Sequence, residues 1–124
     1  MLVETLGAFI EGLTDTDNKS KRTFCSVLTQ RPLFSREFTA DVAERFYYDF
    51  RCGILHQAEI GGDSRLWSVG VLLQDDGRRI IVNRTKFHEL LKAEFQSYLA
   101  ELRDPANTKL RENFRTKMKF ICRA

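Results

Sequence analysis

The chain is poor in the residues that staple or punctuate small proteins. It has three cysteines, two histidines, two prolines and one tryptophan in 124 residues. Cys25, Cys52 and Cys122 lie far apart and form no C-x-x-C, and His56 and His88 do not join them at zinc-site spacing. That excludes a disulfide framework and a structural zinc site, and it reads as reduced thiols in a cytoplasmic protein. No apolar run approaches the roughly 20 residues that span a bilayer. The start, "MLVETLGAFIEGL", carries Glu4 and Glu11 without a basic leader, so no signal peptide is expected. Internal repeats and low-complexity linkers are absent too.

What is present is an ordinary globular composition. Hydrophobic residues make up 43% and charged residues 30%, which excludes an intrinsically disordered chain. The length suits one domain with its own core, residues 1–124. Aromatics are mostly phenylalanine, ten of them. Net charge is +3, which permits a polyanionic partner without requiring one. The basic residues concentrate near the end: Lys109, Arg111, Arg115, Lys117, Lys119 and Arg123 face only Glu112.

Periodicity predicts a mainly α protein, a bundle of four to five helices with a small inserted β-hairpin. Leu2, Leu6, Phe9, Ile10 and Leu13 recur at helical spacing until Gly12 and "TDTDNKS" break the pattern. Asn18 or Ser20 is the expected cap of a short helix carrying Phe24, Val27 and Leu28. Pro32 disfavours helix at Arg31, so "QRPLFSREF" is a connection. Thr39 is the expected cap of the best-marked helix, with Val42, Phe46, Phe50 and Ile54 at four-residue intervals and Gly61-Gly62 as its stop.

The period then changes. Val69, Val71 and Leu73 alternate, Asp76-Gly77 signals a turn, and Ile80, Ile81 and Val82 form a β-branched run, a hairpin of about 67–83. Asn83 or Thr85 caps the next long helix, with Phe87, Leu90, Leu91, Phe95, Tyr98, Leu99 and Leu102 as its apolar stripe. Asp104-Pro105 stops it. Asn107 is the expected cap of a final helix showing Leu110, Phe114, Met118 and Ile121 on one face.

The candidate chemistry lies in "RCGILHQAEIGG", residues 51–62. Five residues along an α-helix turn by about 500°, so Arg51 and His56 point roughly 140° apart and about 7.5 Å apart along the axis. They are poor partners within one helix. Two copies across a two-fold axis could line one groove with four such groups. Histidine moves protons near neutral pH, and arginine forks onto phosphate oxygens. On RNA, such a pair would activate a 2′-hydroxyl and stabilise charge on phosphorus without a metal or other cofactor. The plain alternative is a structural histidine and an Arg51 paired with Asp49, Glu59 or another carboxylate. Gly53, costly inside a helix, marks a point where another backbone comes close. Cys52 reads as a small core residue, His88 as a cap or surface residue, and Trp67 as the pin of the hairpin.

At these residues, "FRCGILHQAE" resembles the R-x4-6-H signature of HEPN domains (higher eukaryotes and prokaryotes nucleotide-binding), with four residues between Arg51 and His56. The resemblance implies a helical bundle, homodimerisation through the Arg51–His56 helix, and often metal-independent endoribonuclease activity. It also implies a setting among toxin–antitoxin and phage-defence systems. Arg51 and His56 of each protomer would be the catalytic pair, and Arg115, Lys117 and Lys119 would guide the RNA strand. The residue after the arginine, often polar in the family, is Cys52 here. The subset paired with a nucleotidyltransferase antitoxin carries H-x-Y, and position 58 here is alanine. Some members of the family serve as inactive RNA-binding or dimerisation modules, and that alternative stays open.

Overall fold

A computed structural model describes residues 2–14, 17–52, 64–67, 70–77 and 79–123. Among the described residues the architecture is mainly helical, with five α-helices and a small three-stranded mixed sheet inserted between the third and fourth. Helix α1 (Leu2–Glu11) packs closely on α2 (Ser20–Gln30). Gly7 makes that approach possible: a Cβ there would lie 2.6 Å from Thr23 Cγ2 and 2.9 Å from Val27 Cγ2.

Gly12 ends α1 in the left-handed region, at φ 72°. The Gly12 N–H donates to Phe9 O at 3.3 Å and the Leu13 N–H to Ala8 O at 2.9 Å, the paired bonds of a Schellman cap. The expected caps of α2 are not used. Lys19 occupies the cap position without a side-chain bond, Asn18 sits at φ 61°, and Ser20 Oγ instead accepts from the Tyr47 hydroxyl at 3.2 Å. The competing partner on a neighbouring element takes the serine away from the local bond.

After Arg31, extended at ψ 137° as the following Pro32 requires, the chain makes a short 3₁₀ turn at Phe34–Arg36. Helix α3 (Ala40–Phe46) is capped as expected, Thr39 Oγ1 accepting from the Val42 N–H at 3.3 Å. It does not continue as α-helix. Tyr47–Cys52 continues it as a wider, π-helical turn; the expected run on to Gly61-Gly62 lies outside the described residues.

The predicted hairpin is present as β2 (Leu73–Asp75) antiparallel to β3 (Ile80–Asn83), with Asp75 opposite Ile80. Asp75 and Asp76 shape its turn by accepting the Gly77 and Arg79 N–H groups, each at 2.9 Å. The sequence reading missed β1 (Arg65–Trp67), which pairs with β3 in parallel and makes β3 the central strand. All four residues of β3 are buried, which explains its unbroken apolar run. The early strand starts later than the Val69–Val71 alternation suggested, and Val71 is exposed. Ser64 ties the sheet to the bundle: its hydroxyl donates to Asp49 at 2.7 Å and accepts the Ile80 N–H at 3.0 Å.

Asn83 then caps α4 (Arg84–Arg103) by accepting the Thr85 and Lys86 N–H groups, both at 3.1 Å. Asn107 stands at the cap position of α5 (Thr108–Cys122) but donates its amide to Glu101 O at 2.8 Å, locking the turn between the two helices. The core is aromatic. Phe24, Phe34, Phe38, Phe46, Phe50 and Phe87 form a connected set of ring contacts at 4.8–6.3 Å, joining α2, the 3₁₀ turn, α3 and α4. Leu2 on α1, Leu99 on α4 and Ile121 on α5 fall outside the core, each about half exposed.

One polar network is buried within this frame. Glu94, fully buried on α4, accepts from Arg31 Nε at 2.9 Å and from the Leu33 and Phe34 N–H groups at 2.7 and 3.1 Å. Arg31 reaches on to Glu101 at 2.6 Å and Ser97 at 3.4 Å. Burial works against the Arg31 charge, yet the bonds to Glu101 and Glu94 outweigh it and the net effect raises its pKa. Glu94→Ala should lower the unfolding free energy in urea by about 3–5 kcal/mol, because it leaves the buried Arg31 with Glu101 as its remaining carboxylate and strands two backbone donors. A loss below about 1 kcal/mol would contradict this account.

Tyr98 supplies a pH prediction. Its buried hydroxyl has no hydrogen-bond partner among the described residues, and burial pushes its pKa from 10.0 up to about 12. The folded state therefore prefers the neutral phenol. Its contribution is complete below pH 10 and is lost as pH rises through about 12. Tyr98→Phe should match the wild type at neutral pH and unfold at higher pH in an alkaline titration followed by circular dichroism.

Candidate functional site

Thr39 starts the motif helix, and stacking of Phe46 on Phe50 at 4.8 Å anchors its inner face in the core. The π-helical turn follows directly, and Arg51 stands near its end. Its Nε donates to Glu4 Oε1 of α1 at 2.6 Å, and its guanidinium lies 5.4 Å from the centre of the Tyr47 ring. Both partners of the ion pair are largely withdrawn from solvent, with 16% of the Arg51 side chain and 8% of the Glu4 side chain exposed.

Arg51 is thus paired with a carboxylate from elsewhere in the chain, Glu4, 47 residues away. Asp49 turns instead to Ser64. The α-helical angle computed between Arg51 and His56 does not apply at the start of that interval, since the turn there is wider, with i to i+5 bonding. His56 and Gly53 lie outside the described residues, as do the side chains of Cys52 and Trp67. His88 is an exposed residue of α4.

The basic helix α5 buries none of its residues and lies against α1. Phe114 meets Phe9 at 5.7 Å, and Asn113 donates to Ile10 O at 2.9 Å. The three cations expected to guide a strand divide into two kinds. Lys117 donates to Thr14 O at 2.8 Å and sits over Phe120, so it fastens α5 to the end of α1. Arg115 and Lys119 are exposed and have no ion-pair partner among the described residues. Arg111, one turn before Arg115, joins them, and the two line a cavity of about 250 Å³ with Leu102 and Phe114. The sequence signal for Arg111 was available in the i, i+4 spacing of two arginines around a phenylalanine.

Two other cavities lie among the described residues. A groove of about 670 Å³ between α2 and α3 is lined by Lys21, Cys25, Thr29, Glu44 and Tyr47 among others. Lys21 is held by Glu44 at 2.8 Å, and burial pushes the Cys25 thiol up, which disfavours the nucleophilic thiolate. An apolar cavity of about 310 Å³ lies over Phe46, Phe50 and Phe87, with Arg84 and His88 at its edge. Among the described residues no group of His, Cys, Asp and Glu side chains gathers as metal ligands, and no helix is long and apolar enough to cross a membrane.

Fold and surface together define a small helical domain with an inserted mixed sheet, a buried motif arginine and an exposed basic helix. Comparison with protein-family models, with curated proteins and with solved structures finds no match.

Removing Arg51 should cost stability as well as any activity. Arg51→Ala leaves Glu4 buried without its cation, and a loss of about 3–5 kcal/mol in urea unfolding is expected. Lys21→Ala, which breaks the exposed pair with Glu44, should cost far less, since water screens that pair. Equal losses for the two variants would show that the Arg51–Glu4 pair behaves as a surface contact.

Proposed function

We propose that this chain is a HEPN-like RNA-binding domain that acts in the cytoplasm as a homodimer, in a toxin–antitoxin or phage-defence setting. The observation that carries the RNA reading is α5, where the exposed Arg115 and Lys119 and the half-buried Arg111 have no carboxylate partners among the described residues. Unpaired cations on one helix release counterions when they meet a phosphate backbone, and binding of this kind weakens steeply with salt. The resemblance at Arg51 and His56 supports the further step, cleavage of the strand at the dimer interface without a metal.

In that step His56 takes the proton from a 2′-hydroxyl and the freed oxygen attacks the adjacent phosphorus. The bond to the 5′-oxygen breaks, that oxygen regains a proton, and a 2′,3′-cyclic phosphate is left. Arg51 would hold the phosphate and stabilise the charge on its oxygens.

A specific observation favours a second reading, the inactive RNA-binding and dimerisation module. The Arg51 guanidinium is engaged by Glu4 and the Tyr47 ring, which gives the motif arginine a structural task. One experiment separates the two. Single-stranded RNA is incubated with wild-type protein and with His56→Ala in EDTA, and binding is followed in parallel by fluorescence anisotropy. The nuclease reading expects binding by both proteins and cleavage by the wild type alone. Binding without cleavage assigns the module. A lack of binding at low salt removes the RNA reading altogether.

A further inference from the structure

The junction of α4 and α5 is rigidly closed. Glu101 O accepts both the Asp104 N–H at 3.2 Å and the Asn107 amide at 2.8 Å, so the last turn of one helix holds the first turn of the next. The cavity of about 250 Å³ lined by Leu102, Arg111, Phe114 and Arg115 sits against these two helices. Arg111 and Arg115 are neighbours at i, i+4 on α5, and neither has an ion-pair partner among the described residues. Phe114, on the same lining, is half-buried, and its contact with Phe9 holds the ring in place.

The lining is mostly apolar, from Leu102, Phe114 and the carbon stems of two arginines that have no ion-pair partner among the described residues. The cations call for an anion, and their planar forks match phosphate oxygens. The apolar part calls for a flat, weakly polar group attached to that anion. A nucleotide in a single strand supplies both, since unpaired bases are free to leave the stack and lie on aromatic and guanidinium planes. A duplex supplies only phosphates, because its bases stay paired inside the helix.

We propose that the α4–α5 cavity is a single-nucleotide subsite, in which Arg111 and Arg115 clasp a backbone phosphate and an unpaired base lies against Leu102 and Phe114. The subsite rests on the RNA-binding reading and adds to it a substrate class, single-stranded RNA with an accessible base. It makes α5 a place of local recognition as well as of general charge attraction.

The test compares three fluorescent probes of equal length by anisotropy: a single strand, the same strand with abasic nucleotides, and the full duplex. Wild-type protein should bind the intact strand at least about fivefold more tightly than the abasic strand. The duplex should bind no better than the abasic strand. Replacing both arginines (Arg111→Gln with Arg115→Gln) should abolish the preference for the intact strand, with an unchanged circular-dichroism melt confirming the fold. Lys119→Gln should weaken the intact and abasic strands alike. Equal wild-type binding of those two strands overturns the subsite while leaving RNA binding in place. Full retention of the preference in the double variant overturns it as well. No binding of any probe at low salt removes the RNA reading and the subsite with it.

Discussion

The Glu94 carboxylate is the constraint on which the arrangement of the bundle depends. It lies fully buried on α4 and gathers three donors, the Arg31 guanidinium and the Leu33 and Phe34 N–H groups. Those donors belong to the end of α2 and the start of the 3₁₀ turn. Pro32 breaks the helix there and leaves backbone N–H groups without helical partners, and Glu94 supplies the acceptor they need. A buried charge tolerates little displacement, so the bridge sets where α4 lies along α2. Phe34, placed by that contact, then reaches Phe38 and Phe87, and the aromatic core closes around it.

A second buried pair does comparable work for the motif helix. Glu4 and Arg51 join the first helix to the π-helical turn, close to the Ser64 link that holds the inserted sheet. The two contacts flank the same turn from different sides. Arg51 therefore has to be understood as part of the fold before it is assigned to chemistry. The basic helix is under a different constraint: a ring contact and a side-chain bond tie it to α1, Lys117 ties it to Thr14, and Arg115 and Lys119 stay in solvent. Separation of a packed motif from an open charged surface is what gives the RNA reading its physical form.

Much of the fold was legible because it depends on local patterns. Apolar spacing marked α2, α4 and α5, Thr39 and Asn83 acted as the caps their chemistry suggests, and Asp76-Gly77 sat in a real hairpin turn. The misses have a common cause in long-range partners. Ser20 was drawn to Tyr47 and Asn107 to Glu101, so neither bonded as a helix cap. Strand β1 is short and forms only because β3 offers it an edge. Glu94 looked like one more charged residue in an amphipathic helix, and Lys117 like one more cation, until their partners came into view.

The sequence by itself determined the mainly helical class, the inserted hairpin, the aromatic core and the charge of the last helix, since each follows from residue type and spacing along the chain. Tertiary structure alone decided that Arg51 meets Glu4, that Arg31 and Glu94 are buried together, and that Arg111 and Arg115 share a cavity with Phe114. The physical reason is distance in sequence. An ion pair between residues 4 and 51, or 31 and 94, leaves no local periodicity, because it exists only when separate elements have packed.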